Sequence, residues 1–174
     1  MNGIQLVEQL PGLRRYARVL TGDAWAADDL VQDTLERACV KWQLWVPGTD
    51  LRAWLFTLMH NLYLNQRRAA KVALNSVSID DLETELQAPP GGASDPMDLR
   101  RCLQRLPAEQ RAVLLLVTVE DMSYQEAARI LAIPLGTVMS RLSRARSRLR
   151  ELMEGRPAAA RPATTQAPAL RRMK

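Results

Sequence analysis

Histidine occurs once in this sequence, at His60, and cysteine only twice, at the distant positions Cys39 and Cys102. So scattered a ligand set does not make a metal centre, and it argues against the disulfide framework of a small exported domain. Both cysteines are expected to pack inside helices as small apolar residues. Aromatic residues make up only 5% of the chain. Long apolar runs are missing too: the best, Ala112 to Val119, falls far short of the roughly 18 residues that a membrane span requires. The N-terminus lacks an early basic region followed by a hydrophobic core, so the expected location is the cytoplasm. No glycine-rich nucleotide loop, nucleophile triad or metal cluster is visible, and the chain is not expected to be an enzyme. No cofactor or small-molecule substrate is indicated.

Acidic residues are absent from two particular stretches. One is the tail from Gly155 to Lys174, which holds five basic residues among alanines and prolines and reads as disordered. Without it the rest of the chain carries 19 basic and 19 acidic side chains, so any affinity for a polyanion must come from local patches. The other stretch, Thr137 to Arg150, has five arginines and no acid.

That second stretch belongs to the most informative segment of the chain, Ser123 to Leu152. Ser123 followed by Glu126 fits a capping box, in which each side chain satisfies a free amide of the first turn. Met122 and Ala127 form the accompanying staple, and Ala127, Ile130 and Leu131 supply an apolar face. Pro134 cannot continue that helix, and a second helix starts near Leu135 after a tight turn over Ala132 to Gly136. On it Val138, Leu142, Ala145, Leu149 and Leu152 recur at spacings of four and three, making one narrow apolar stripe. Thr137, Ser140, Arg141, Arg144 and Arg148 share a different face. Arginine's planar fork contacts a phosphate, or the O6/N7 edge of guanine, with two hydrogen bonds. A solvated basic surface helix would look similar, but the cap, the turn and the clean separation of faces favour a DNA-reading helix-turn-helix.

The remaining sequence reads as helix, with no strand alternation and no internal repeat. Leu13, Ala17 and Leu20 mark a first helix with Pro11 near its start. Thr21 to Asp23 breaks it, and a second helix is expected from Ala24 to Trp45, carrying Asp28 and Asp29 in its first turns. Asp50 caps a third, which runs to about Lys71 with Leu51, Leu55, Leu58 and Leu62 on one face. Val72 to Leu99 contains no lysine or arginine but six acids and Pro89-Pro-Gly-Gly92, the composition of a linker. Helices then span Asp98 to Leu106 and Pro107 to Glu120. The domain plan is therefore all-α: a helical domain over 1–71, a flexible acidic linker over 72–97, a second helical domain over 98–154 and a tail over 155–174.

Trp42, Trp45, Trp54, Phe56 and Tyr63 crowd into 22 residues. Aromatic side chains near basic ones can stack the bases of single strands, although Trp42 and Trp54 fall on apolar helical stripes and read better as core. The short polar loop Val46 to Asp50 can present a pocket to a flipped base.

Five motifs carry a family resemblance. They are Asp28 to Ala38 (DDLVQDTLERA), Leu51 to Asn61 (LRAWLFTLMHN), Leu106 to Arg111 (LPAEQR), Ser123 to Ala128 (SYQEAA) and Gly136 to Arg146 (GTVMSRLSRAR). In order and spacing, over about residues 5 to 153, they resemble bacterial sigma factors of the extracytoplasmic-function (ECF) type, minimal members of the sigma-70 family. The resemblance implies that the first domain is sigma region 2, which docks on core RNA polymerase and melts the promoter near position −10. It assigns Asp28, Asp29, Gln32, Asp33 and Glu36 to polymerase binding, Asn61 and Asn65 to reading the −10 element, and the Val46 to Asp50 loop to base capture. The second domain corresponds to region 4, which reads the −35 element as duplex through Thr137, Ser140, Arg141 and Arg144, with Arg148 on phosphate. It also implies an anti-sigma factor as regulator. The linker acids either imitate RNA in the polymerase exit path or simply keep the linker solvated. Met139 and Ser143 depart from residues common in relatives, basic and aromatic respectively, so the −35 sequence is least predictable there.

Two other readings fit less of the chain. A plain helix-turn-helix regulator accounts for residues 100 to 152 and leaves the first domain without a task. A sigma-mimicking adaptor that binds an anti-sigma factor instead of DNA would share the fold but should have lost the basic face, which is intact here.

Overall fold

The computed structural model describes residues 3–46, 48–76 and 96–154. Most of the acidic linker, the whole basic tail and Pro47 lie outside these described residues. Among the described residues seven α-helices follow one another, α1 Gly3–Thr21, α2 Ala24–Val40, α3 Leu51–Ser76, α4 Pro96–Gln104, α5 Ala108–Thr118, α6 Tyr124–Leu131 and α7 Leu135–Met153. No strand occurs among the described residues.

Helices α1 to α3 make the first unit. Leu13, Tyr16, Ala17 and Leu20 of α1 are buried against Ala27, Leu30, Val31 and Ala38 of α2 and Leu55, Phe56, Met59 and Tyr63 of α3. These are the positions that a 3.6-residue period places on one face of each helix. Two short breaks set the angles between them. Gly22, at φ +79°, turns the chain out of α1, and Asp23 then caps α2 by accepting a hydrogen bond from the Ala26 amide at 2.8 Å. Asp50 caps α3 in the same way through the Ala53 amide, 3.1 Å away.

Three expectations need correction here. Pro11 is not near the start of α1 but well inside it. The helix continues back to Gly3 because Leu6 is buried and Leu10 packs against the core; that apolar burial offsets the roughly 3 kcal/mol that an interior proline costs. Helix α2 does not run unbroken to Trp45. It stops at Val40, and Trp42–Leu44 form one 3₁₀ turn, which rotates Trp42 onto the core. Cys39 is exposed rather than packed, since it falls just beyond the buried Ala38 on the outer face of α2; Cys102 is half-buried. In addition α3 reaches Ser76, five residues into the stretch expected to be linker.

Helices α4 to α7 make the second unit, around Val113, Leu116, Ala127, Ile130, Val138, Leu142 and Ala145, each at most 1–2% exposed. The two units are not held apart. Helix α6 lies against α3, and α4 and α5 lie against α1, so that all the buried residues form one continuous cluster.

His60 sits in this arrangement on the buried side of α3, 7% exposed, with Nδ1 3.2 Å from the Tyr16 hydroxyl. Burial, with Arg141 as a lesser cause, lowers its pKa from 6.5 to about 4, while burial raises that of Tyr16. The folded chain therefore holds His60 neutral where an unfolded chain takes up a proton. Stability is complete above pH 6.5, falls as the pH drops through 6.5 towards 4, and below that no longer changes on this account. A drop from pH 7 to pH 5 should cost about 2 kcal/mol through this one group. Denaturant unfolding of the protein and of His60→Gln at both values checks it: the variant should lack that part of the pH dependence.

Candidate nucleic-acid interface

The helix-turn-helix forms as its local chemistry requires. Ser123 Oγ accepts from the Glu126 amide at 3.2 Å, and the Glu126 carboxylate accepts from the Ser123 amide at 2.7 Å. Hydrogen bonding of the Ser123 side chain and amide to the Glu126 carboxylate pulls its pKa below its usual value, and such a cap contributes about 1 kcal/mol. Met122 and Ala127, the staple pair, are both buried. The turn itself differs from the expected one. Ala132 takes the left-handed conformation at φ 51° and ends α6, with its amide bonded back to Arg129. Pro134 caps α7, and Gly136 already lies in the helix with open space where a Cβ would be.

Along α7, Val138, Leu142 and Ala145 face the core, and Leu149 and Leu152 pack at its edge. The opposite face presents Arg144, Arg146, Arg148 and Arg150 to solvent, with Ser143 and Ser147 between them. Thr137 and Ser140 are half-buried, and Ser140 Oγ donates to the Thr137 carbonyl at 3.1 Å. Arg141 is held differently. Its guanidinium pairs with Glu109 of α5 at 2.6 Å, and its side chain is 25% exposed. Of the residues singled out on this helix, Arg144 and Arg148 stand free on the outer face, whereas Arg141 lies at the flank. Ser143 and Ser147 fall opposite the apolar stripe. Met139 is 51% exposed beside them.

The first unit carries two polar faces. Asp28, Asp29, Gln32, Asp33 and Glu36 are all exposed along α2. Gln32 donates to Glu36 at 3.1 Å, and Gln66 of α3 donates to Asp33 at 2.9 Å. An open hollow beside this stripe is lined by Asp33, Glu36, Arg37, Val40, Lys41 and Leu62, so acid and apolar surface adjoin. Asn61 and Asn65 are exposed one turn apart on α3, with Arg67 and Arg68 following. The Arg67 guanidinium lies over the Tyr63 ring, 5.7 Å from its centroid.

The aromatic cluster divides. Phe56 and Tyr63 are buried and cannot stack a base. Trp42 packs against Trp45 and Trp54, with ring centroids 5.1 Å and 6.2 Å apart, and all three are only partly buried. Trp45 directly precedes the Val46 to Asp50 loop. The indole nitrogen of Trp45 is buried and has no acceptor among the described residues.

With both faces defined, comparison with known proteins assigns each unit. Residues 6–60 match the family described as the Sigma2 domain of PhyR, and residues 97–149 match sigma-70 region 4. The fold is thus that of a sigma factor reduced to region 2 and region 4. The chain is 37% identical to the ECF RNA polymerase sigma factor EcfG of Rhodopseudomonas palustris over 150 residues, 85% of this chain and 82% of that one. It is 39% identical to the ECF RNA polymerase sigma factor SigL of Mycobacterium tuberculosis over 137 residues, 75% of this chain and 76% of the relative. In structure it resembles the sigma factor RpoE of Bartonella quintana, solved in complex with the anti-sigma factor NepR, at a TM-score of 0.73 and 35% identity, covering 87% of this chain and 96% of that one. The chain belongs to the ECF RNA polymerase sigma factors, the proteins that direct RNA polymerase to promoters. Among the described residues no helix is long and apolar enough to cross a membrane.

Proposed function

We propose that this sigma factor divides promoter reading between α7 and α3 and binds core polymerase through α2. The observation that carries the reading is the outer face of α7, where Arg144 and Arg148 are exposed on a helix whose other side is locked into the core. A rigid helix with free arginines suits the major groove of an intact −35 duplex. Arg144 reads a base edge there. Thr137 and Ser140 lie close to the turn and contact the element from the start of the helix, and Arg148 takes a phosphate. Arg141 joins them only by exchanging Glu109 for DNA.

Asn61 and Asn65, on one exposed face of α3, read the −10 element. The tryptophan cluster next to the Val46 to Asp50 loop supplies an apolar floor for a displaced base. Asp28, Asp29, Gln32, Asp33 and Glu36 form the polymerase-docking stripe, and the neighbouring hollow with Val40 and Leu62 admits an apolar side chain of a basic partner helix. The polymerase carries all the chemistry, so this chain needs no catalytic group. Its setting is the cytoplasm, and an anti-sigma factor regulates it, as the complexes of its structural relatives suggest.

Addition of the full chain to core polymerase should produce promoter-specific transcripts from its own genome; the absence of any specific transcript would sink this function. Arg144→Ala should weaken binding of the cognate −35 duplex by about 1–3 kcal/mol and relax specificity at one position. An equal loss on every duplex would move Arg144 to a phosphate. Asp29→Lys should weaken core polymerase binding in a pull-down or fluorescence titration, and unchanged affinity would remove α2 from the docking role.

A further inference from the structure

The seam between the two sigma units is held by a polar device that no promoter contact requires. Glu120, in the loop between α5 and α6, is 1% exposed. Its carboxylate accepts from Arg15 of α1 at 3.1 and 3.2 Å and from Arg52 of α3 at 2.7 Å. Both guanidiniums belong to region 2 and the acid to region 4. Space for the carboxylate exists because residue 12 of α1 is glycine: a Cβ there would lie 2.7 Å from Glu120 Oε2. Asp121, at φ 50°, turns the loop so that Glu120 points inwards.

A second set of contacts closes the far side. Arg111 of α5, 7% exposed, donates to the Leu20 carbonyl at 2.9 Å, and Gln104 of α4 donates to the Val19 carbonyl at 2.8 Å. These carbonyls lie in the last turn of α1, where a helix has acceptors without partners of its own. Region 4 thus docks on region 2 through apolar contact of α6 with α3 and of α5 with α1, and these charged and hydrogen-bonded groups cross the same seam.

We propose that Glu120, clasped by Arg15 and Arg52, is a latch that keeps the free sigma factor closed and lowers its readiness to engage polymerase. The proposal rests on the promoter-reading function above, because that function demands separation. Elements named −10 and −35 lie about 25 base pairs apart, about 85 Å of duplex at about 3.4 Å per step. A compact chain of this length has a radius of gyration of only about 16 Å. The nineteen residues between Ser76 and Pro96 can stretch to about 65 Å, which lets the units move apart once the latch opens. The closed form leaves Asn61, Arg144 and Arg148 exposed. The latch therefore acts by fixing the spacing of the two reading ends, not by covering them.

Small-angle scattering of the full chain tests the latch directly. Glu120→Lys should raise the radius of gyration by about a fifth or more, with helical circular dichroism retained. The double variant Arg15→Glu/Arg52→Glu should open the chain from the region 2 side, and combining it with Glu120→Lys should restore the compact form. Because apparent affinity scales with the open fraction, the opened variants should also bind core polymerase at least about threefold more tightly. An unchanged radius in both single-sided variants overturns the latch. A larger radius with unchanged polymerase affinity overturns its regulatory role. Failure of the sigma function would show differently, as absence of specific transcript from the unaltered chain.

Discussion

Glu120, with 1% of its surface exposed, is clasped by two guanidiniums, those of Arg15 and Arg52. Withdrawing a carboxylate from water costs several kcal/mol unless cations replace the lost hydration. That requirement ties together parts of the chain that have no other reason to meet. Arg15 must face inwards from α1, Arg52 must lie in the first turn of α3, and Gly12 must leave room. The α5–α6 loop must also adopt a left-handed step at Asp121. Ion pairs of this kind add little net stability, but removing one partner is costly. Their effect is to select one docking geometry from many that the apolar surfaces alone would tolerate.

Around that contact the functional faces are distributed by simple helical periodicity. In α7 the residues every third or fourth place go to the core, which leaves the arginines outside without any specific contact to hold them there. In α2 the same rule puts five polar residues on one exposed stripe. Arg141 is the exception that tertiary structure creates. It belongs to the basic helix by sequence, yet Glu109 of α5 draws it to the flank. A reader of DNA at that position must first give up an ion pair whose partner acid is 67% exposed, a modest cost for a pair so near water.

Local signals were legible where the interacting groups lie within a turn of each other. The Ser123–Glu126 box, the Asp50 cap and the start of α7 near Leu135 depend on residues three apart, and these formed as the sequence indicated. Pro11 misled because burial of Leu6, decided by the far side of the bundle, outweighed a local rule. The end of α2 misled because a 3₁₀ turn over Trp42–Leu44 replaced the last turn of the helix, although Trp42 packs on the core as expected. Cys39 misled because a one-residue shift on a helix separates core from solvent. The polar faces assigned to polymerase and promoter were visible as residues, but their exposure depended on which stripe the core took.

By itself the amino-acid sequence determined seven helices, the caps at Asp50 and Ser123, the basic and acidic faces and membership in a family of two-domain sigma factors, because these depend on near-neighbour chemistry and on motif order. Only the tertiary structure decided that the two units dock, that Glu120 is buried between two arginines and that Arg141 is turned aside. Those outcomes join residues up to 105 positions apart, and no local pattern encodes such a pairing. It follows from which apolar surfaces meet first and from the need to neutralise any charge they trap.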